Sequence, residues 1–167
     1  MTSPARATDL FEVETGVSGA ELVAGFDGSR PTSGGEGRFG LWTRDGGAIL
    51  RARRSAFLPF LPAGGTAVRQ LDVTLASVAI ERLAGIDATA VAEGRLAFTM
   101  SAADAVRWVD EGATPTGGQP ASAALLLDPT PAAEIVAVAA DGDVMPQKST
   151  YFYPKALTGL VINPHEW

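Results

Sequence analysis

The residues best suited to chemistry crowd into one stretch, Met145-Pro-Gln-Lys-Ser-Thr-Tyr-Phe-Tyr-Pro-Lys155. The chain's only two lysines, Lys148 and Lys155, and its only two tyrosines, Tyr151 and Tyr153, share one eight-residue window. Every other cation is an arginine. Gln147, Lys148, Ser149 and Thr150 offer consecutive polar groups, and Tyr151, Phe152 and Tyr153 supply three aromatics. Hydroxyls, backbone N–H groups and an ammonium are what an anion such as phosphate needs. Lysine suits that task as a mobile point charge, where arginine is a rigid fork. In an extended stretch alternate side chains share a side. Lys148, Thr150 and Phe152 then face one way, and Ser149, Tyr151, Tyr153 and Lys155 the other. The candidate ligand-binding residues are Gln147, Lys148, Ser149, Thr150, Tyr151, Tyr153 and Lys155. A connector whose tyrosines pin it to the core calls for the same side chains, and composition weighs the two readings equally.

Other chemistries find little support. There is no cysteine and one histidine, His165, so a tetrahedral zinc site lacks donors and no metal site is expected. Neither G-x-x-x-x-G-K-[ST] nor G-x-G-x-x-G occurs. Asp141-Gly-Asp143 is too short for a calcium loop and reads as a helix-ending turn. Ser149 and His165 have no orienting carboxylate in view, which argues against a triad. A net charge of -6 argues against nucleic acid. The cluster Arg51, Arg53 and Arg54 reads as a solvated strand edge. No apolar run approaches membrane-span length. The absence of cysteine fits a reducing, cytoplasmic setting, and no signal peptide is visible.

The elements that must position the stretch can be read from local signals. The length of 167 residues suits one domain. Residues 1–9 form a polar tail expected to be disordered, followed by a single α+β domain over 10–167. Residues 10–14 alternate as a half-buried strand does. Ser18 and Glu21 make a capping box for a short helix carrying Leu22, Val23 and Phe26. Residues 29–36 form a Gly/Pro/Ser-rich loop. Strands over 37–43 and 48–53 flank a hairpin signal, Asp45-Gly-Gly47. Helical spacing predicts a helix over 72–83, and Gly85 lies beyond it. Residues 94–100 read as a strand. Ser101 and Asp104 cap a helix whose Ala105, Trp108 and Val109 face the core, with Gly112 as its stop. Residues 121–127 are an apolar strand of the kind buried on both faces. Thr130 is the expected N-cap of a helix starting with Pro131 and ending near Ala140. A last strand is expected over 157–162. The sum is a mixed sheet of about five or six strands with about four helices.

The stretch 145–155, followed by Thr158-Gly-Leu-Val-Ile162, resembles the closing signature of the bacterial and archaeal family called domain of unknown function 1015. The upstream order is also similar, through the helix near 72–83, the helix at 101–111, Ala124–Leu127 and the turn Pro129-Thr-Pro131. Phe11-Glu-Val13 and Phe39-Gly-Leu-Trp42 share the family's flavour, so the likeness covers most of the chain. Family members are usually more than twice as long. Their N-terminal part carries a run like Asp-Gly-His-His-Arg, similar to a motif of the ParB and sulfiredoxin superfamily, in which some relatives phosphorylate free serine. No such run occurs in this sequence. The resemblance therefore implies the C-terminal part of a split or truncated family member, inactive alone. Its anion-binding segment would complete a small-molecule, phosphotransferase-like site on a protein supplying the N-terminal half. The alternative is a non-catalytic structural or interaction domain, with self-association as the other partner expectation. The identity of any cofactor stays open.

Overall fold

The computed structural model describes residues 6–113, 120–146 and Ser149. Four strands, β1 (Phe11–Val17), β2 (Arg38–Thr43), β3 (Gly46–Ala52) and β4 (Ala123–Leu127), form one sheet in the order β1-β3-β2-β4. All three pairings are antiparallel. The domain is thus α+β as expected, but the described sheet is antiparallel rather than mixed. β4 runs antiparallel to β2, with Phe39 opposite Leu127 and Thr43 opposite Ala123. Element alternation alone does not fix strand direction. β3 lies between β1 and β2, so Arg51 sits on an interior strand rather than on a sheet edge.

Strand alternation sorts the core into two layers. On one face Phe11, Phe39, Ala48 and Leu50 meet Leu75, Ala76, Val78 and Ala79 of α5 (Asp72–Ala84). Phe57 of α3 (Arg54–Phe57) and Leu10 of α1 (Ala7–Leu10) close that layer. Phe11 packs edge-on against Phe39 at 5.7 Å and against Phe57 at 5.4 Å between ring centroids. Full burial of each such ring contributes on the order of 2–3 kcal/mol. On the other face Leu22 and Phe26 meet Val106 of α7 (Ala102–Glu111) and Leu126 of β4. Leu22 belongs to α2 (Gly19–Gly25), and Phe26 follows it directly. Gly40 permits that contact, since a Cβ there would lie 2.8 Å from the Phe26 ring. β4 feeds both layers, Leu125 and Leu127 into the first and Leu126 into the second, as its apolar run implies.

The local caps form as read. The Ser18 hydroxyl accepts from the Glu21 N–H, and the Glu21 carboxylate accepts from the Ser18 N–H at 2.7 Å. Ser101 accepts from the Asp104 N–H at 3.1 Å. Gly85 and Gly112, both at φ of 64°, end α5 and α7 in the left-handed conformation. Residues 7–9 of the expected tail lie in the single turn of α1, which delivers Leu10 to the core.

Residues 94–100 form no strand. Phe98 and Met100 are 51% and 73% exposed, and among the described residues no neighbouring strand pairs with them. Among the described residues there are also more helices than expected, about eight, because short turns such as α4 (Thr66–Gln70) and α6 (Ala88–Ala92) fall below the length at which periodicity is visible. The last helix, α8 (Ala132–Ala140), has Pro131 at its N-cap rather than Thr130. Val68, Leu71 and Val138 join α4 to α8 in a third, smaller cluster. The carboxylates of Asp141 and Asp143 accept from the Ala67 N–H at 3.0 Å and the Gly65 N–H at 2.5 Å. The turn after α8 therefore also caps the start of α4. The strand expected over 157–162 lies outside the described residues. Among the described residues no helix is long and apolar enough to cross a membrane, and no group of three His, Cys, Asp or Glu side chains could hold a metal.

Candidate functional site

Of the candidate ligand-binding residues only Ser149 is described; Gln147, Lys148, Thr150, Tyr151, Tyr153 and Lys155 lie outside the described residues, as does His165. The beginning of the stretch is anchored on α4 and α8. Met145 packs against the cluster of Val68, Leu71 and Val138. The Ser149 hydroxyl donates to the Pro146 carbonyl at 2.6 Å, so it is engaged within its own turn. The Thr130 hydroxyl donates to the Ser149 carbonyl at 3.3 Å. That bond sets Ser149 beside the residue that precedes the α8 cap, one turn from Glu134.

Two charged groups flank the loop between α2 and β2. The first is closed. Asp128 follows β4 directly, and its side chain is only 3% exposed. It accepts from Arg30 at 2.8 Å and from Arg38 of β2 at 3.1 Å. Arg38 also donates to the Gly25 carbonyl and stacks over Phe26, 4.0 Å from the ring centroid. Arg30 holds Glu36 at 2.6 Å, and this hydrogen bond keeps the Glu36 carboxyl below its ordinary pKa. The two carboxylates in turn raise the pKa of Arg30. These contacts tie the loop between α2 and β2 to the end of β4.

Asp72 and Arg54 tie the other end of that loop. Asp72, first residue of α5, accepts from the Gly37 N–H at 2.8 Å and the Glu36 N–H at 3.1 Å. Arg54 donates to the carbonyls of Gly35 and Gln70 and lies 3.4 Å from Asp72. Burial nevertheless pushes the Asp72 carboxyl above its ordinary pKa, outweighing the bonds that favour its charge.

The second group is open. A cavity of about 610 Å³ lies between this loop, α3, α4 and α8. Ser33 and Gly34 line one wall, Arg69 of α4 another, and Glu134 of α8 a third, over Leu61 and Leu75. Arg69, like Arg30 of the first group, carries a buried Nε with no hydrogen-bond partner among the described residues. Glu134 forms no ion pair among them either. Desolvation and the nearby Asp72 raise its carboxyl pKa, against the pull of Arg54. Gly34, at φ of 81°, lets the Glu134 carboxyl close on the loop backbone, because a Cβ there would stand 2.3 Å from the Glu134 Cδ.

A comparable hollow of about 660 Å³ between α2 and α7 is lined by Trp42, Arg107 and Asp110. Its polar groups are already paired: the Trp42 indole donates to Asp110 at 2.8 Å, and Arg107 holds Asp104 at 2.7 Å. The open cavity is therefore the better described candidate. The sequence reading missed Arg69, Asp72, Asp128 and Glu134, all brought together by long-range packing. The only local signals were the Gly-rich loop 29–36 and the turn 129–131. Comparison with family models, with curated proteins and with solved structures returns no match for this chain.

Proposed function

We propose that this chain corresponds to the C-terminal part of the domain of unknown function 1015 family. In this reading the residues 147–155 form an anion-binding segment of a composite small-molecule site. Lys148 and Lys155 supply mobile positive charge, Ser149 and Thr150 supply hydroxyls, and Tyr151 and Tyr153 brace the segment. A region carrying the Asp-Gly-His-His-Arg run supplies the remaining groups, so the chain alone turns nothing over. The observation that carries the reading is the confinement of both lysines and both tyrosines to one window that also holds the hydroxyls. Phosphoryl transfer rests on positioning and charge stabilisation, which such a segment can supply in part. Titration calorimetry with inorganic phosphate and with a nucleotide tests it. Binding weakened by Lys148→Ala and Lys155→Ala supports the segment; no binding of either ligand to the parent chain contradicts it.

A second reading, as an interaction domain, draws on the described surface. Val144 is 85% exposed and Val136 of α8 67%. Apolar side chains left in water on and beside α8 suit a partner or a second copy. Light scattering separates the readings, since an interaction domain that self-associates does so in a concentration-dependent way without phosphate.

A further inference from the structure

We propose that the cavity between Arg69 and Glu134 is a site for a small zwitterion, whose anionic group pairs with Arg69 and whose ammonium pairs with Glu134. The proposal does not rest on the anion-binding reading of residues 147–155, because it uses a different set of side chains.

The charges around the cavity sort into used and unused. Arg54 is used, since its guanidinium donates to the Gly35 and Gln70 carbonyls and faces Asp72. Asp72 is used, since its carboxylate accepts two backbone N–H groups. Arg69 and Glu134 line the same space, yet they pair neither with each other nor with any other described charged group. A partly desolvated carboxylate carries a cost that a ligand can remove.

The pairing requirement selects the ligand class. A plain anion on Arg69 would leave the carboxylate of Glu134 across the same space without a partner. A plain amine on Glu134 would leave the guanidinium unmet. A molecule bearing both charges satisfies each wall at once, and a guanidinium fork favours a planar carboxylate or a phosphate on the anionic end. Leu61 and Leu75 give its body an apolar surface. The volume of about 610 Å³ lies within the range of small-molecule sites. The loop is shaped around the carboxylate as well. Any side chain at position 34 would occupy the place of the Glu134 carboxyl, and only glycine takes φ of 81° without strain.

The test is titration calorimetry of the full chain against glycine, β-alanine, γ-aminobutyrate and ε-aminocaproate. Each is matched by the amine and the carboxylate of equal length. At least one amino acid should bind about tenfold or more tightly than either single-charge analogue. Arg69→Gln and Glu134→Gln should each remove about tenfold or more of that affinity. Glu134→Gln should in addition erase the preference for the amino acid over the plain carboxylate. Because Glu134→Gln keeps the side chain's shape and relieves an unpaired charge, an unchanged or raised melting temperature separates lost binding from lost folding. The proposal is overturned if no member of the series binds, or if binding survives both substitutions.

Discussion

The Asp128 cluster and the Arg69–Glu134 cavity are built from the same residue types around the same loop, and they use charge in opposite ways. Asp128 is almost fully buried and has two arginines within 3.1 Å. Glu134 is half-buried and has none. Burying a carboxylate without partners is costly, so a fold that needs the charge only for structure surrounds it, as at Asp128. A guanidinium and a carboxylate that stay unpaired across one space among the described residues do nothing for the fold. The difference separates charges that hold the loop between α2 and β2 from charges that face a ligand.

The largest break in the comparison should come from Asp128→Ala. It leaves Arg30 and Arg38 without their shared carboxylate, and about 3 kcal/mol of stability should be lost, measured by urea denaturation. A loss below about 1 kcal/mol would mean the cluster is solvated well enough to be incidental. Arg54→Ala comes next. It releases two carbonyls and Asp72 from the loop, and because the side chain is 40% exposed the cost should be about 1–2 kcal/mol. Gly34→Ala should cost about 1 kcal/mol or more, from the strained φ and the displacement of Glu134.

How these charges assemble was not legible in the sequence, whereas much of the frame was. The box at Ser18–Glu21, the cap at Ser101 and the stops at Gly85 and Gly112 act over three or four residues, so a linear reading finds them. The apolar run before Asp128 correctly implied a strand covered on both faces. Residues 94–100 misled because Leu96, Phe98 and Met100 alternate as in a strand, yet alternation says nothing of whether a partner strand is within reach. Arg30 and Asp128 are separated by 98 positions and Arg54 and Asp72 by 18, and no local pattern pairs them. The lysine- and tyrosine-bearing segment, conspicuous by composition, has only its first anchors, Met145 and Ser149, among the described residues.

The smallest expected effect sharpens the comparison through pH. Burial raises the carboxyl pKa of Glu134 in the folded state. A raised carboxyl pKa adds stability below the ordinary range and loses it as pH rises through the folded value. Glu134→Gln should therefore gain up to about 0.5 kcal/mol at neutral pH, as surface changes do, and the gain should vanish below about pH 4. Glu36 should behave oppositely. Arg30 holds its pKa down, so its contribution is present above the ordinary range and lost as pH falls through the folded value. Urea melts of Glu36→Gln across the same pH range read that reversal.

The most direct test of the division between structural and ligand-facing charge is thermal unfolding of Asp128→Asn and Glu134→Gln side by side at neutral pH. Both remove one carboxylate charge with little change of shape. The account predicts a fall of roughly 6 °C or more for Asp128→Asn and no fall for Glu134→Gln. Equal falls in the two variants would contradict it, because Glu134 would then be holding the fold as Asp128 does.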